Sequence, residues 1–394
     1  MTRFKEFVTK AYNKYFKITV RYLAKKKLYT IINIVGMSTA FAAVILISDY
    51  LIYEYTADKH FSEYDDLYRL NRGDNTGLAI PMMDYLENDF TEFEKICRVQ
   101  PAYTTVLSYG KDNFTRDFGY YTDSSVIDFF DIQLVQGDAR EFSLPGSLFL
   151  SESLSSIIFG KNNPIGESIE IEGKYNLTVR GVYSDLPKNS HLNFDYLIPI
   201  KMMKDMDDNA KRQYELFEQW GCTFYVLMRN ASRITEIDNN LNKYIKTTLE
   251  NDQWEMHIQP FSEIYFNEAG ITDRGKHGDR KQLSVLLLVA IGIIVLSIIN
   301  YFNLSTSNSF FRSREIGIKK SFGVPGRMIA AQFFLETFIV VCLSLIIGFV
   351  LAEFIMPFFN NLYGLDLRIA TLYQGAYLVW IILIAFIIAL IAGF

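Results

Sequence analysis

The residues best suited to acid–base or nucleophilic chemistry are few and lie far apart along the chain. The histidines are His60, His191, His257 and His277. No two of them form an HExxH pair, the spacing with which one helix face binds zinc, and no GxSxG sequence presents a serine as a nucleophile. Ser190 precedes His191, but adjacency does not supply the hydrogen-bonded nucleophile, base and orienting group of a catalytic triad. The sequence therefore indicates neither a metal site nor an enzyme active site.

Cysteine chemistry and nucleotide binding are limited as well. Three cysteines in 394 residues exclude a disulfide-built scaffold. Cys97 and Cys222 could pair in an oxidising compartment, and the sequence leaves this open, whereas Cys342 lies in an apolar run and is expected to pack as a small side chain. No GxxxxGK[ST] sequence is present to cradle nucleotide phosphates. We therefore expect no cofactor in this chain, and any ATP must be bound by another subunit.

The most informative charged segment is FFRSREIGIKKSFGVPGR, residues 310–327. Its pattern predicts a short helix over 314–322, ended by Gly323 at a left-handed position and by Pro325 just after it. Ile316, Lys319 and Lys320 share one face of that helix. Ile318 and Phe322 lie on a neighbouring face. A short, basic, partly apolar helix suits docking into another protein. A positively charged loop without a partner is the alternative.

The elements that hold these residues are set by blocks of apolar sequence. Half of the chain is apolar and 15% is aromatic, with a net charge of −5, which excludes a disordered or collagenous protein. Four runs carry at most one charged residue each, and they are Thr30–Tyr53, Leu283–Leu304, Met328–Ala352 and Leu372–Phe394. At about 1.5 Å per residue, each can cross the roughly 30 Å hydrocarbon core of a bilayer. We predict an α-helical membrane protein with four spans.

Basic residues give these spans a direction. Residues 1–28 contain nine lysines and arginines against one acid, and five basic residues against one acid lie between the second and third runs. Such flanks stay cytoplasmic, so the N-terminus is expected inside. Residues 54–281 contain 24 basic and 38 acidic residues and are expected outside. A secretory signal peptide is the alternative for the first run, but that run is longer than the roughly 7 to 15 residues of a signal core.

The two ends of the chain lead to further expectations. Apolar and basic residues in 1–28 recur on separate helical faces, which predicts an amphipathic basic helix lying against lipid headgroups. A lever that turns with the first span and a plain anchor are both open. The fourth run ends at Phe394 with no basic residue after it, so we expect the sequence to be a fragment of a longer protein.

The large block outside alternates strands with helices. The expected elements are a strand at 67–70, a helix at 81–93, strands at 96–99 and 223–228, a helix at 234–249 and a strand at 255–259. They form two βαβ-like units at the two ends of the block, which suggests one βαβ-rich subdomain over about 54–102 and 188–281. Residues of about 103–187 are richer in short strands and turns. They are predicted to form an inserted α+β subdomain of this extracytoplasmic domain.

Together these features resemble the permease subunits of MacB/FtsX-type ABC transporters. The matching phrases run along nearly the whole chain and are HFSEYDDLYRL, LSESLSSIIFGKNNPIGESIEI, VRGVYSDLPKNSHLNFDYLIP, IQPFSEIYF and NYFNLSTSNSFFRSREIGIKKSFG. The resemblance implies a MacB-like periplasmic core domain over 54–281, after a span at 29–53. It also implies an FtsX-like permease domain over 282–394, with spans at about 283–304, 328–352 and 372–394.

The resemblance also implies partners and sites. A coupling helix at about 313–323 would contact a cytoplasmic ABC ATPase that binds the ATP, through Arg314, Glu315, Ile316, Gly317, Lys319, Lys320 and Gly323. The permease would act as a homodimer or as a tandem pseudo-dimer in the bacterial inner membrane. A periplasmic adaptor and an outer-membrane channel are further candidate partners, and no nucleic acid is expected.

The mechanism implied is transmission of movement from the ATPase to the outside domain. Small residues spaced by four are candidates for the moving helix contacts, and they are Gly36, Ala40, Ser344, Gly348, Ala385, Ala389 and Gly393. Ordinary packing within one subunit is the alternative for these residues. A membrane receptor is a competing function, but only about 20 residues separate the second and third runs, too few for a signalling domain. An outside enzyme lacks a catalytic constellation, and the substrate stays open.

Overall fold

The computed structural model describes residues 21, 23–217, 219–229, 233–248, 255–267, 270–307, 309–368 and 376–393. The chain forms two compact units. Residues 1–55 and 280–394 make up the helical unit, and Thr56–Asp279 make up the sheet unit. The amphipathic helix predicted over residues 1–28 falls for the most part outside the described residues.

The helices of both units follow in chain order. They are α1 (Lys27–Tyr55), α2 (Met82–Asp89), α3 (Val126–Phe129), α4 (Glu152–Phe159), α5 (Asp208–Glu215), α6 (Ile234–Thr248), α7 (Arg280–Ser307), α8 (Ser309–Ser321), α9 (Gly326–Tyr363) and α10 (Ala376–Gly393). Short 3-10 helices lie at Ala139–Ser143, Ile200–Asp205 and Phe261–Glu263.

The strands all belong to the sheet unit. They are β1 (Leu67–Arg72), β2 (Lys95–Pro101), β3 (Thr105–Tyr109), β4 (Asp112–Arg116), β5 (Gly119–Thr122), β6 (Leu134–Gly137), β7 (Ser147–Ser151), β8 (Ser168–Ile171), β9 (Tyr175–Tyr183), β10 (Tyr196–Pro199), β11 (Thr223–Leu227) and β12 (Met256–Pro260).

Three helices of the helical unit are long and apolar enough to cross a membrane within the part of the chain that the structure describes. They are α1, α7 up to Leu304, and α9. The fourth predicted span, 372–394, is represented by α10, an apolar helix of 18 residues, and residues 372–375 and 394 lie outside the described ranges. A fourth span therefore stays a prediction. α9 packs against α1 and α10, and α1 also packs against α7.

The helix that contains the third predicted span continues past Ala352, the end expected for that span. α9 runs for 38 residues and continues through Pro357 to Tyr363, where Gly364 adopts a left-handed backbone with φ of 65°. The physical reason lies in the residues that follow Glu353, because aromatic and aliphatic side chains keep the helix apolar beyond that single charge. The left-handed glycine is the stop signal that the helix follows.

The described strands form one twelve-stranded mixed sheet. Its order is β12-β1-β11-β2-β5-β10-β7-β9-β8-β3-β4, with β6 paired to β9. β1 and β2 both run antiparallel to β11, and β12 runs antiparallel to β1. The first four strands therefore have the 4-1-3-2 order of a ferredoxin-like βαββαβ arrangement, in which α2 joins β1 to β2 and α6 joins β11 to β12. The strands between β2 and β11 in the chain extend the same sheet.

The strands and helices predicted at the two ends of this block are present, and several of their bounds differ from the prediction. The helix predicted over 81–93 ends at Asp89 because Phe90 leaves the helical conformation with φ of −122°. The Phe90 side chain is buried and stacks on Phe93, with ring centroids 5.8 Å apart. Core packing of the two rings thus replaces the last helical turn.

Apolar clusters cover the two faces of the sheet, and they separate the two cysteines of this unit. Cys222 belongs to the cluster that includes α2 and α6 residues, and Cys97 belongs to the cluster around Phe130 and Phe261. The β2–β11 register places Cys97 opposite Tyr225, three residues along the strand from Cys222. An offset of three residues is about 10 Å and reverses the side-chain direction, which is incompatible with a disulfide. Both thiols are free.

Candidate functional site

The predicted coupling helix forms part of α8 in the helical unit. α8 begins at Ser309, five residues before the predicted start, and its final turn ends as predicted at Gly323. Gly323 has φ of 79°, its N–H donates to Lys320 O at 2.9 Å, and the N–H of Val324 donates to Lys319 O at 3.1 Å. This pair of bonds is the Schellman motif, in which a left-handed glycine satisfies the last helix carbonyls. The stop predicted from Gly323 and Pro325 is confirmed.

The side chains of α8 point in different directions. Ile318 on α8 is 52% exposed, and Phe322 just after α8 is 82% exposed. These two apolar side chains are four residues apart, about one helical turn, and both are uncovered. Arg314 and Lys320 are exposed basic residues, and Gly317 is exposed between them. The resulting surface is basic and apolar, the combination that binds a protein with acidic and hydrophobic contact residues.

One basic residue of α8 turns instead towards the neighbouring span. Lys319 Nζ donates to Gln332 Oε1 on α9 at 2.7 Å. Gln332 Nε2 in turn donates to Glu336 Oε1 at 3.2 Å, one helical turn further along α9, and both of these side chains are buried. A polar chain therefore joins α8 to the interior of a span. Movement of α8 along its axis would have to break these hydrogen bonds or move Gln332 and Glu336 together with α8.

The small residues singled out in the spans lie at helix contacts within this chain. A Cβ placed on Gly348 of α9 would lie 2.7 Å from Phe41 Cβ and 3.1 Å from Ser38 O of α1, and one on Gly36 would lie 3.3 Å from Asn300 Nδ2 of α7. The remaining candidates are buried or half-buried, and they are Ala40, Ser344, Ala385 and Ala389. Packing within one subunit accounts for Gly348, because the α1 backbone passes directly over it.

In the sheet unit, Ser190 and His191 do not form a nucleophile–base pair. Ser190 Oγ donates to Asp58 Oδ1 at 2.6 Å. The same carboxylate accepts from the His191 N–H at 3.0 Å, and its Oδ2 lies 2.8 Å from His191 Nδ1. On the other side of the ring, His191 Nε2 lies 3.1 Å from the Tyr225 hydroxyl. With Nδ1 bonded to Asp58 and Nε2 bonded to the Tyr225 hydroxyl, both ring nitrogens of His191 have hydrogen-bond partners.

The electrostatics of this cluster keep Asp58 ionised. Burial would raise the pKa of Asp58, but the charge of His191 and the hydrogen bonds from His191 and Ser190 outweigh it, and the pKa is lowered. Burial raises the pKa of Tyr225, so its hydroxyl stays protonated and can donate. Asp58 also has a left-handed backbone with φ of 62°, uncommon for a residue other than glycine. Its three hydrogen bonds hold that conformation.

A second buried ion pair lies beside this cluster, because Arg69 is directly opposite Tyr225 in the β1–β11 register. Arg69 on β1 pairs with Asp273, whose Oδ1 lies 2.6 Å from His277 Nε2. Burial would raise the pKa of Asp273, but the hydrogen bond from His277 and the charge of Arg69 hold it well below its usual range. The hydrogen bond with Asp273 raises the pKa of His277. This arrangement can hold a proton on His277 above the pH at which free histidine loses it.

The two clusters are joined through the backbone. Lys276 N–H donates to His191 O at 3.2 Å. Asp58 lies three residues after the end of α1, and His277 lies three residues before the start of α7. The linked set Asp58, Arg69, Ser190, His191, Asp273 and His277, called the polar clamp below, therefore ties together the segments by which the chain enters and leaves the sheet unit.

Sequence reasoning found Ser190 and His191 but missed Asp58, Arg69 and Asp273. Asp58 lies 132 positions from Ser190 and 133 from His191, and Arg69 lies 204 positions from Asp273, so no local spacing connects these pairs. The one available signal was charge inside otherwise apolar phrases, such as Arg69 within the strand LYRL. An arginine in a strand that is buried on both faces requires a partner, but the sequence does not say which one.

Both units contain residues that match models of known protein families. The model of the MacB-like periplasmic core domain matches residues 30–244, more than half of the chain, and the model of the FtsX-like permease C-terminal domain matches residues 287–394. A macrolide export ATP-binding/permease protein MacB from Bdellovibrio bacteriovorus is 27% identical over 190 residues. That match covers 46% of this chain and spans 27% of the length of that relative.

Three solved structures of protein domains match part of this chain. A domain of a permease protein from Porphyromonas gingivalis is 17% identical, with a TM-score of 0.44 over 51% of this chain and 92% of that one. The periplasmic region of MacB from Actinobacillus actinomycetemcomitans is 16% identical, with a TM-score of 0.41 over 53% and 95%. The extracellular domain of the transporter YknZ from Gram-positive bacteria is 12% identical, with a TM-score of 0.39 over 49% and 99%.

The first model covers the first span and most of the sheet unit, and the second covers most of the helical unit from residue 287 onwards. Spanning helices and a periplasmic-type domain in one chain make this a membrane protein with an extracytoplasmic domain. With more than half of its residues in the first model and most of the remainder in the second, the chain belongs to the MacB/FtsX-type permease family.

Proposed function

We propose that this chain is the permease subunit of an ABC transporter whose ATP is bound and hydrolysed by a separate cytoplasmic ATPase subunit. The observation that carries the proposal is the combination, in one chain, of a MacB-like periplasmic core domain with an FtsX-like domain that contains the exposed basic and apolar helix α8. The Bdellovibrio relative is named as an ATP-binding/permease protein. This sequence contains no GxxxxGK[ST] motif, so the nucleotide site is assigned to a partner.

The mechanism is a relay from α8 to the sheet unit. Arg314, Glu315, Ile316, Gly317 and Lys320 contact the ATPase. Lys319 passes movement of α8 to α9 through Gln332 and Glu336, and the close contact at Gly348 passes it to α1. Packed helices move as rods between two arrangements rather than deforming continuously, which is what such a relay requires.

The proposal includes a membrane location and an assembly. The protein lies in the bacterial inner membrane with four spans, a cytoplasmic N-terminus and residues 54–281 in the periplasm, as its charge distribution supports. It works as a homodimer or a tandem pseudo-dimer of permease halves. It exports a substrate such as an antimicrobial peptide or a lipoprotein, or it remodels the cell envelope. A receptor is not favoured, because the segment between the second and third spans is too short for a signalling domain.

Association with the ATPase tests the proposal. The full-length protein is co-expressed with an ABC ATPase subunit, and the ATPase retained on the purified permease is measured. We predict that Arg314→Glu with Lys320→Glu reduces the retained ATPase about tenfold, because these two exposed basic side chains of α8 become acidic. A second variant, Glu315→Ala with Ile316→Ala, is expected to act in the same direction without reversing charge.

The matched control reverses two exposed lysines of the sheet unit, Lys111→Glu with Lys174→Glu. It should retain the ATPase at the wild-type level. Unchanged association in both α8 variants would remove α8 from the ATPase contact, and failure of the wild-type protein to retain any ABC ATPase would contradict the proposed function itself.

A further inference from the structure

The twelve-stranded sheet ends in β12 on one side and in β4 on the other. Side chains of α6 cover the outer edge of β12. Asp238 Oδ1 accepts from the Ile258 N–H at 2.9 Å. Asn242 accepts from the Met256 N–H and donates to the Met256 carbonyl oxygen, both at 2.8 Å. These bonds occupy the backbone groups with which another strand would pair, so the β12 edge is closed.

The register of β3 sets the direction of the backbone groups of β4. Val106 faces β8, because its N–H donates to Glu172 Oε1 at 2.8 Å and its carbonyl oxygen accepts from the Glu172 N–H at 3.0 Å. Alternate residues of β3 therefore bond β4, and their partners there are Asp112, Phe114 and Arg116. The N–H and C=O groups of Asn113 and Thr115 consequently point away from the sheet.

The outer edge of β4 is open within the part of the chain that the structure describes. Asn113 and Thr115 are exposed. The one hydrogen bond described for their outward backbone groups is a long one, from Arg116 Nη1 to the Thr115 carbonyl oxygen at 3.4 Å. Phe114 packs against the apolar cluster that includes α4 residues and holds the strand in place. Such an edge is a template for pairing with another extended chain.

The charges along this edge are complementary to themselves. The segment KDNFTRD, residues 111–117, has one basic and one acidic residue at each end and three uncharged residues between them. When two copies run antiparallel about the central residue, Asp112 lies opposite Arg116 of the second copy, and Lys111 lies opposite Asp117. Two-fold symmetry forms each pair twice. A shift by one residue would place Lys111 opposite Arg116 or Asp112 opposite Asp117, and like charges repel.

We propose that β4 pairs with β4 of a second copy of this chain, antiparallel and centred on Phe114. Asn113 then lies opposite Thr115 of the second copy, and these two residues exchange backbone hydrogen bonds on each side of the two-fold axis. Two five-residue strands make a small contact. The inference therefore rests on the homodimer of the proposed function to bring the copies together, and it names where their sheet units meet.

Cysteine cross-linking between two differently tagged, co-expressed full-length copies tests this pairing. One copy carries Asn113→Cys and the other Thr115→Cys, and the membranes are oxidised with copper phenanthroline. Opposed residues of a hydrogen-bonded pair have Cα atoms about 5.5 Å apart, which a disulfide can span. The control copies carry Lys174→Cys and Asn176→Cys, exposed positions at the start of β9, which two strands separate from β4. We expect about fivefold more mixed dimer from the β4 pair than from the control, because only opposed cysteines meet the disulfide geometry.

Charge exchange shows whether the strands pair in the proposed register. With the β4 cysteines present, Asp112→Arg in both copies places arginines opposite each other, and Arg116→Asp in both copies places aspartates opposite each other. Each change should lower the mixed dimer about fivefold. Both changes together recreate opposite-charge pairs and should restore it. Retention of the ATPase depends on α8 and should stay at the wild-type level throughout, so the two proposals can fail separately.

The background is the wild-type protein, in which Cys97 and Cys222 are buried. Mixed dimer no higher than in the control pair would overturn the pairing. It would also be overturned if neither single charge change lowered the cross-link, or if the double change failed to restore it. A disulfide from the β4 cysteines to a different protein, in place of the second copy, would overturn the assignment of the occupant.

Discussion

Asp58 and Asp273 are ionised carboxylates inside the sheet unit, and each is held by more than one partner. Asp58 accepts hydrogen bonds from Ser190 and from two groups of His191, and Asp273 pairs with Arg69 and His277. Removing a charge from water is costly unless several hydrogen bonds replace the lost hydration. Such multiply bonded pairs fix one geometry, which is useful where the chain leaves a spanning helix and enters a rigid sheet.

The raised pKa of His277 makes the stability of the sheet unit depend on pH. The folded-state pKa lies above the unfolded value of about 6.5, so the stabilisation is complete below that pH and is lost as pH rises through the folded pKa. We predict that, between pH 6 and 9, the melting temperature of the wild type falls relative to that of His277→Gln. The expected relative fall is about 2 °C, because His277 is partly exposed and its ion pair is screened.

This pH dependence is measured by differential scanning fluorimetry of the full-length protein at closely spaced pH values. His257→Gln, which replaces an exposed histidine near Asp238, is the matched control. Parallel curves for the wild type and His277→Gln would show that the bond to Asp273 contributes nothing to stability.

Residue-level inference from sequence succeeded where a local rule applied. Gly323 could be assigned as a helix stop because left-handed backbone favours glycine and Pro325 prevents continuation. The partners of His191 could not be assigned, because Asp58 lies 133 positions away and only the folded sheet brings them together.

At the scale of elements, the contact between α1 and α9 is the closest helix packing that the singled-out glycines make. A Cβ on Gly348 would meet Phe41 Cβ at 2.7 Å and the backbone oxygen of Ser38 at 3.1 Å, and neither atom is the flexible end of a side chain. The two backbones can approach this closely only because residue 348 has no side chain. Helix contacts of this kind are common in membranes, where small residues allow tight packing.

We predict that Gly348→Ala destabilises the helical unit by about 1 to 3 kcal/mol, the usual cost of overpacking, because α1 and α9 must separate. Gly292→Ala in α7 is the matched control, since a Cβ there meets nothing within 4 Å and alanine favours the helix. Thermal unfolding of the solubilised full-length protein compares the two variants. Equal stability of Gly348→Ala and Gly292→Ala would mean that the α1–α9 contact is looser than described.

Elements were predictable in type but less so in extent. Alternating and helical periodicities located the strands and helices at both ends of the sheet unit. α9 continues past the predicted span end at Ala352 to Tyr363, where the left-handed Gly364 follows it. The 4-1-3-2 strand order could not be inferred, since β11 inserts between β1 and β2 from more than a hundred residues away.

At the scale of the whole molecule, charge and hydropathy alone separated the two units. The long, acidic, soluble-like block between the first and second apolar runs corresponds to the sheet unit, Thr56–Asp279. The family was predictable because several phrases spread over the chain agree with one another, and the two family models confirm it. The contacts among the membrane helices are not visible in any phrase, because they depend on which helices pack together.

In the proposed mechanism, nucleotide binding by the cytoplasmic ATPase changes the conformation of the sheet unit. The most direct measurement is hydrogen–deuterium exchange of residues 56–279 in the full-length protein, bound to its ATPase in lipid nanodiscs, with and without ATP trapped by a hydrolysis-deficient ATPase. We predict an ATP-dependent change in exchange around the polar clamp, which disappears in Arg314→Glu with Lys320→Glu. Identical exchange with and without ATP in the wild-type complex would contradict the claim.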